Sequence, residues 1–467
     1  MAHDTSTHHK KHKAVKRPAK ITAPQIIAPH YVPFFRIILS GFVYLTVIGG
    51  VLLAMPFVSA DGDFTSPVDS FFTAVSAISA TGLAVVDTAD HWNAWGELII
   101  VALVQVGGIG FMAISAFLLL MLRHRVNTGD NLLVDNVGAT DKRHFTEFVV
   151  LVIIGTLIIE AAGIVLLYLT LPDGLGINGV WHSIFYGVSA FNNAGFDLQG
   201  EFAGLTVFQH NLSFLGALSL MFVLGGLGVP LLLNIISRMP WVGWNLDTRI
   251  SLTTVALLLV AGTGALFLVD LATSASTTIS AAPDRAMNAF FISSSARTAG
   301  FSTLDMGAMA LQPILFIMAL MFIGGVSGST AGGIKVNTFA TVVLTAVSYQ
   351  RGYRQVHAFG RVIPETQVHK AITVVFLAVC SVFVFMLILT ITEEAEFIRL
   401  LFEAISALTT TGFSMGLTPN LSDTGKVVII FAMFLGRLGP LTAVLALTHR
   451  QQVAPEPKGE EEAIRIG

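Results

Sequence analysis

The chain repeats one short phrase four times: SAISATG at residues 76–82, SAFNNAG at 189–195, SSARTAG at 294–300 and SALTTTG at 406–412. Each copy has a serine six residues before its glycine and follows a short apolar stretch. The four glycines are 113, 105 and 112 residues apart along the chain. A near-constant period of this kind indicates a repeated structural unit.

Composition places these repeats in a membrane. Of the 467 residues, 54% are hydrophobic and 12% are charged, whereas soluble domains carry about 25% charged residues. The single cysteine, Cys380, excludes intrachain disulfides and a cysteine-based metal site. We therefore expect an integral membrane protein.

Eight stretches are apolar and long enough to cross a bilayer, which takes about 20 residues in a helix. The four phrases fall between the members of consecutive pairs of these stretches. The predicted fold is an all-α integral membrane protein of four consecutive span–pore helix–span units, with eight transmembrane helices and four re-entrant pore loops in pseudo-fourfold symmetry round one ion pore. The predicted spans are 37–58, 98–122, 148–171, 211–237, 250–269, 311–348 (interrupted), 371–392 and 427–448.

The units predicted from these spans cover 35–126, 144–239, 248–350 and 368–449. A disordered basic tail is expected at 1–34 and a polar tail at 450–467. Lysine and arginine concentrate in the first tail and in the links between units, and such residues favour the cytoplasmic side. We therefore expect a multi-pass protein of the cell (inner) membrane, with both tails and the links in the cytoplasm and the four phrases open to the outside.

The four phrases suit cation transport. A cation that leaves water needs fixed oxygens, and backbone carbonyls supply them when several point at one axis. Such backbone enters unusual φ/ψ regions that glycine tolerates, and a short preceding helix directs its negative end at the cation. The alternative is that small residues merely allow close helix packing, as they often do in membranes. Four copies in the same place of four units favour the pore.

A second glycine-rich feature lies in the second span of each unit, at 107–110, 225–228, 324–328 and 436–439. The third copy extends to Gly324–Lys335, where five of twelve residues are glycine, so a regular helix is poorly favoured. One interpretation of this irregular segment is a broken helix without a dynamic role. Arg437 lies in the fourth copy, and a charge inside a span is a functional hypothesis by default. A structural ion pair of Arg437 with Glu160 is the other interpretation.

No phosphate-binding Walker loop, dinucleotide-binding fold or HExxH motif occurs. A multi-span membrane enzyme would place histidine, aspartate or metal ligands within its spans, and these spans are nearly free of them. We therefore expect no enzyme activity and no bound cofactor. Energy and regulation must come from ion gradients or from another chain.

The four-unit plan and the loops ATGL (80–83), NAGF (193–196), TAGF (298–301) and TTGF (410–413) resemble the Trk/Ktr/HKT superfamily of potassium transporters over about residues 35–450. Eight spans resemble most the KtrB-type membrane subunits of bacterial Ktr systems. A glycine in all four loops goes with potassium selectivity in that superfamily, whereas serine in the first loop favours sodium. The resemblance implies a potassium filter, the only metal site expected, at Ala80, Thr81, Gly82, Leu83, Asn193, Ala194, Gly195, Phe196, Thr298, Ala299, Gly300, Phe301, Thr410, Thr411, Gly412 and Phe413.

The resemblance also implies a gate below the filter. Its residues would be Gly324, Gly325, Ser327, Gly328, Ser329, Thr330, Gly332, Gly333, Lys335 and Arg437. The implied partners are a second copy in a homodimer, a cytosolic nucleotide-binding regulatory ring of the KtrA type and membrane lipids, with no nucleic acid. The alternative within transport is a sodium-permeable or sodium-coupled relative, with sodium as the coupling ion.

Overall fold

The computed structural model describes residues 32–127, 137–171, 176–237, 244–273 and 281–439. The expected tails at 1–34 and 450–467 lie almost wholly outside these ranges. The described chain is helical apart from one small hairpin. Its α-helices are α1 (Val32–Leu53), α2 (Pro67–Ile78), α3 (Thr88–His91), α4 (Ala94–Asn127), α5 (Val137–Thr170), α6 (Gly176–Phe191), α7 (Leu212–Leu227), α8 (Val229–Ser237), α9 (Leu246–Thr273), α10 (Ala282–Ser295), α11 (Leu311–Met321), α12 (Val336–Gln350), α13 (Glu365–Thr392), α14 (Phe397–Thr409) and α15 (Asp423–Leu438).

Each predicted span overlaps a helix or a broken pair of helices. Among the described residues, four helices are long and apolar enough to cross a membrane: α4, α5, α9 and α13. A fifth candidate span is the pair α7 and α8, which bend by 86° at Gly228. The bend follows the glycine-rich sequence, because Gly228 takes a left-handed φ of 79°. The interrupted span predicted at 311–348 is α11 and α12 with the 324–335 loop between them.

Helices α1, α5, α9 and α13, which open the four predicted units, form the apolar outside of the molecule. They carry exposed large hydrophobic side chains, including Val43, Ile158, Val260 and Phe383. A contiguous apolar surface of this extent indicates contact with lipid. The shorter helices α2, α6, α10 and α14 lie inside, where most of their residues are buried.

Each inner helix contacts the neighbouring unit, and these contacts follow one another in a cycle. Each packs against the later span of the unit before it: α6 on α4, α10 on α7, α14 on α11, and α2 on α15. The last of these contacts joins the first predicted unit to the fourth. Lys426 of α15 lies 2.7 Å from Asp69 of α2, and the ring centroids of Phe42 and Phe434 are 5.0 Å apart. The four predicted units therefore contact one another in a closed cycle.

The second glycine repeat has a packing role in three of its copies. A Cβ atom added to Gly107, Gly225 or Gly436 would lie 2.1, 1.9 or 2.0 Å from the carbonyl oxygen of Ile78, Phe191 or Leu408, respectively. These carbonyls end α2, α6 and α14, or lie one residue before the end. Only glycine lets the facing helix approach the end of the inner helix this closely.

A small β-hairpin lies in the link before α13, and the sequence pattern gave no indication of it. Strand β1 (Val356–Ala358) pairs antiparallel with β2 (Arg361–Ile363). Phe359 and Gly360 between them both have positive φ, as a two-residue hairpin turn requires. Val356, Ala358 and Ile363 bury their side chains against residues of α9, α12 and α13.

We predict that Gly107→Ala destabilises the fold, because the added methyl group must displace the backbone of α2. Overpacking of this kind costs about 1–3 kcal/mol. The measurement is the thermal unfolding midpoint of the purified protein in detergent. Gly110→Ala in the same helix is the matched control, since nothing lies within 4 Å of its added Cβ. Equal midpoints for the two variants would contradict the packing role.

Candidate functional site

The four repeated phrases end in loops with one backbone conformation. We call them loop 1 (80–83), loop 2 (193–196), loop 3 (298–301) and loop 4 (410–413). Gly82, Gly195, Gly300 and Gly412 all have left-handed φ, from 74° to 94°. The residue two positions earlier is also left-handed in every loop, at Ala80, Asn193, Thr298 and Thr410. Left-handed backbone at non-glycine residues costs about 1–2 kcal/mol each, and such strain concentrates at functional sites.

The four glycines meet in a closed ring. A Cβ on Gly82 would lie 2.2 Å from the carbonyl oxygen of Ala194 in loop 2. The corresponding distances are 2.7 Å from Gly195 to Ala299 O, 2.3 Å from Gly300 to Thr411 O, and 2.1 Å from Gly412 to Thr81 O. Each loop therefore turns a carbonyl oxygen toward the glycine of a neighbouring loop. A side chain at any of these four positions would collide with the backbone of the neighbouring loop.

In three of the loops, a serine hydroxyl of the preceding helix donates a hydrogen bond to the carbonyl oxygen of the last loop residue. Ser76 Oγ donates to Leu83 O at 2.8 Å, Ser189 Oγ to Phe196 O at 2.9 Å, and Ser295 Oγ to Phe301 O at 2.6 Å. In loop 4, Ser406 Oγ accepts from Gly412 N at 3.1 Å. The repeat in the sequence aligns Ser294 with the other three, but Ser294 Oγ bonds within α10 to Phe290 O. Loop 3 is therefore anchored one residue closer to its glycine.

The 324–335 loop is held by the break between α7 and α8. Val326 N donates to Gly226 O at 2.9 Å, and Thr330 N donates to Gly225 O at 3.4 Å. The loop is closed at its base, where Gly324 N donates to Ile334 O at 2.9 Å. Gly328 and Gly333 have left-handed φ of 90° and 63°. The predicted irregular backbone is therefore present, and two of its N–H groups donate to carbonyls at the end of α7.

This loop touches two of the four glycine loops directly. Thr330 Oγ1 donates toward Phe191 O at 3.0 Å and Asn193 Oδ1 at 2.9 Å, both at loop 2. A Cβ on Gly332 would lie 1.9 Å from Thr410 Oγ1 in loop 4. Ser329 and Thr330 are fully buried. The loop therefore lies against the first residues of loops 2 and 4.

Two cations accompany the loop. Arg437 is 2% exposed, and its Nη1 donates to Thr330 O at 2.6 Å while Nη2 donates to Gly107 O at 3.4 Å. Lys335 Nζ donates to Ala331 O. Both cations lie over the ring of Phe111, with Arg437 Cζ at 4.4 Å and Lys335 Nζ at 5.1 Å from its centroid. Carbonyl oxygens and an aromatic face, rather than a carboxylate, hold the Arg437 guanidinium.

Glu160 does not pair with Arg437. Its carboxylate accepts from Gln105 Nε2 at 2.7 Å and from Asn192 Nδ2 at 2.9 Å. Asn192 Nδ2 also lies 2.9 Å from Gln105 Oε1. The three side chains join α4, α5 and the end of α6 immediately behind loop 2. The proposed structural ion pair between Arg437 and Glu160 is therefore wrong.

Arg297 precedes loop 3 and is also buried, with 6% of its surface exposed. It lines a small cavity with Gly226 and Gly325. Arg297 forms no ion pair with an acidic residue in the described ranges, and its Nε has no hydrogen-bond partner there. The guanidinium thus lies beside the end of α7 and the start of the 324–335 loop.

The structure also assigns contacts to residues that the sequence pattern did not single out. Phe111 and Gln105 are the clearest cases. Phe111 follows directly after the first copy of the second glycine repeat. This position could have indicated that Phe111 lies near the other copies of the repeat. Gln105 is an amide inside an otherwise apolar span, which could have been matched with Glu160.

The geometry defines a class of protein: a shell of apolar helices around four short helices whose glycine loops meet at one place. Such a molecule is a membrane protein with a candidate cation pathway at its centre. The comparison with protein families is specific, since residues 34–454 match the model of the TrkH family, described as cation transport protein. The chain belongs to this family, whose members are transport proteins and not enzymes.

Individual relatives cover nearly the whole chain. The potassium/sodium uptake protein NtpJ of Enterococcus hirae is 34% identical over 92% of this chain and 97% of its own. The Ktr system potassium uptake protein B is 32% identical in Bacillus subtilis, over 93% of this chain and 94% of its own. The same-named protein of Vibrio alginolyticus is 35% identical, over 90% and 92%. The crystal structure of the potassium transporter TrkH from Vibrio parahaemolyticus superposes with a TM-score of 0.71 at 19% identity, over 92% of this chain and 86% of that one.

We predict that Glu160→Ala lowers thermal stability, because it leaves the half-buried Gln105 amide without its acceptor and removes one of the three acceptors of Asn192 Nδ2. An unsatisfied buried polar group costs about 1–3 kcal/mol. The unfolding midpoint in detergent measures the effect, and Glu160→Gln, which keeps one acceptor oxygen, should lose less. A midpoint unchanged in Glu160→Ala would contradict the structural role of this network.

Proposed function

We propose that this chain takes up potassium across the cell membrane through a channel-like filter formed by loops 1 to 4. The observation that carries the proposal is the ring in which Gly82, Gly195, Gly300 and Gly412 each face a carbonyl oxygen of a neighbouring loop. Backbone oxygens arranged in this way can replace the hydration shell of a potassium ion. The filter residues are the four of each loop, from Ala80–Leu83 to Thr410–Phe413.

Potassium is the favoured cation for two reasons. All four loops carry glycine, including Gly82 in loop 1, and the relatives from Bacillus subtilis and Vibrio alginolyticus are named potassium uptake proteins. Sodium permeation or sodium coupling is the second candidate, because the relative from Enterococcus hirae is named for both ions. Isotopic potassium uptake in a potassium-uptake-deficient cell, with and without sodium, separates the two.

We further propose that the 324–335 loop and Arg437 form the closed barrier below the filter. Gly324, Gly325, Ser327, Gly328, Ser329, Thr330, Gly332, Gly333 and Lys335 belong to this gate. A cation that passes the guanidinium of Arg437 and the ammonium of Lys335 in a poorly hydrated pathway meets strong repulsion. The hydrogen bond from Arg437 Nη1 to Thr330 O supports the proposal, since it ties the charge to the loop.

The architecture proposed around this pathway has eight transmembrane helices in pseudo-fourfold symmetry, with units at 35–126, 144–239, 248–350 and 368–449. The cyclic contacts of the inner helices support it. Both termini and the basic links would be cytoplasmic in the cell (inner) membrane. The Ktr system names of relatives support other components of such a system as partners of this chain. We propose that the partner is a cytosolic nucleotide-binding ring of the KtrA type and that the chain forms a homodimer.

Gly82→Ser should weaken the discrimination of potassium over sodium about tenfold while the protein remains inserted. The new Cβ meets Ala194 O at 2.2 Å, so a carbonyl of loop 2 must move away from its position. Competition uptake of the two ions, per inserted protein, measures the effect. Gly62→Ser is the matched control, because Gly62 also has a left-handed φ but its Cβ would meet nothing within 4 Å. Unchanged discrimination in Gly82→Ser would remove Gly82 from the filter.

Arg437→Ala should raise the potassium flux several-fold and make it less dependent on the cytosolic partner. The change removes a buried charge and the two hydrogen bonds that join α15 to Thr330 O and Gly107 O. Deletion of Gly328–Ala331 should act in the same direction. Arg399→Ala is the control, because Arg399 forms a surface ion pair with Glu396, and such pairs contribute little. Normal yield with unchanged flux would contradict the barrier.

A further inference from the structure

Thr330 uses every polar atom it has to join three separate parts of the molecule. Its backbone N donates to Gly225 O of α7 at 3.4 Å, and its O accepts from Arg437 Nη1 at 2.6 Å. Its hydroxyl reaches Phe191 O and Asn193 Oδ1. The residue is completely buried. Water therefore does not compete for these contacts.

The two acceptors of the hydroxyl are groups on which the shape of loop 2 depends. Phe191 is the last residue of α6, where carbonyls have no partner within the helix. Asn193 is the left-handed residue of loop 2, with φ of 54°. Its side-chain amide packs between Gly225 and the 324–335 loop. The single hydroxyl proton of Thr330 lies within reach of both acceptors and can be shared between them. The hydroxyl therefore restrains the start of the strained segment.

Loop 2 is distinguished from loops 1 and 4 by this contact. Ile78 O and Leu408 O take positions like that of Phe191 O against the glycines of their facing helices. Among the side chains that the structure describes, none donates a hydrogen bond to either of them. The hydroxyl link between the 324–335 loop and a glycine loop thus occurs at loop 2.

We propose that Thr330 is a positioning residue that couples the 324–335 loop to the geometry of loop 2, so that cation discrimination depends on the state of that loop. The proposal rests on the proposed function of both elements and deepens it. When the loop occupies its present position, the hydroxyl fixes Phe191 O and Asn193. When the 324–335 loop moves away, loop 2 loses this support. The ring of carbonyls to which loop 2 contributes can then adapt to an ion of another size.

The test compares Thr330→Val with Thr330→Ser in the full chain, expressed in a potassium-uptake-deficient cell. Uptake of potassium and of sodium is measured per inserted protein. Valine has the shape of threonine but donates no hydrogen bond, and we expect it to raise potassium flux and to lower the potassium-to-sodium ratio by about three- to tenfold, the scale of one buried hydrogen bond. Serine keeps the hydroxyl and should keep the ratio. Thr345→Val is the control, because Thr345 Oγ1 bonds only within α12, to Thr341 O.

The outcomes separate the coupling from the proposed function. A raised flux with an unchanged ratio in Thr330→Val would overturn the coupling and leave Thr330 as a part of the gate alone. An unchanged flux and ratio would overturn it as well. Absence of cation uptake by the unmodified chain with its partner would instead refute the proposed function. If Thr330→Val is not inserted, the smaller Thr330→Ala is measured by the same criteria.

A double-mutant cycle provides an independent readout. Asn193→Ala removes the second acceptor, and its effect on the ratio should be strongly non-additive with that of Thr330→Val, as for residues in direct contact. Additive effects would show that the two side chains act separately, and they would overturn the proposal. A merely structural role of Thr330 would change the yield without producing this coupling in the ratio.

Discussion

The contact on which the molecule depends is the one between the end of an inner helix and a glycine of the long helix that faces it. A helix end exposes carbonyl oxygens that have no partner of their own, and inside a membrane they cannot be left to solvent. Gly107, Gly225 and Gly436 allow the facing helix to close over Ile78 O, Phe191 O and Leu408 O. The glycine loops begin immediately beyond these carbonyls, so their positions follow from this packing.

The third repeat departs from this rule, and the departure explains the rest of the site. The facing helix is replaced there by α11, an irregular loop and α12. The displaced segment is satisfied by carbonyls of Gly225 and Gly226, which are available because α7 ends at Leu227. The break between α7 and α8 in the second unit therefore provides the acceptors for the irregular loop between α11 and α12 in the third unit. The same segment brings Thr330 to loop 2 and to Arg437.

Much of this arrangement follows from sequence periodicity. The four loops, their glycines, the inner short helices and the irregular segment at 324–335 all lie where the repeats predict them. Contacts between distant side chains did not follow, because no period relates Phe111 to Arg437 or Gln105 to Asn192. The pairing of Glu160 was wrong for a similar reason: opposite charge suggested Arg437, whereas burial selected neutral amide donors. Ser294 was misaligned because adjacent serines made the repeat ambiguous by one residue.

The closure between α2 and α15 bears on how the protein is made. Loop 4 reaches loop 1 across Gly412 and Thr81, and the ion pair of Lys426 with Asp69 lies at the same junction. The residues that meet there are separated by more than three hundred positions, so a chain emerging from the ribosome carries its first three loops for some time before the fourth exists. During that interval the carbonyls of loop 1 lack the neighbour that loop 4 later provides. The ring of such a nascent chain is incomplete until loop 4 and α15 are in place.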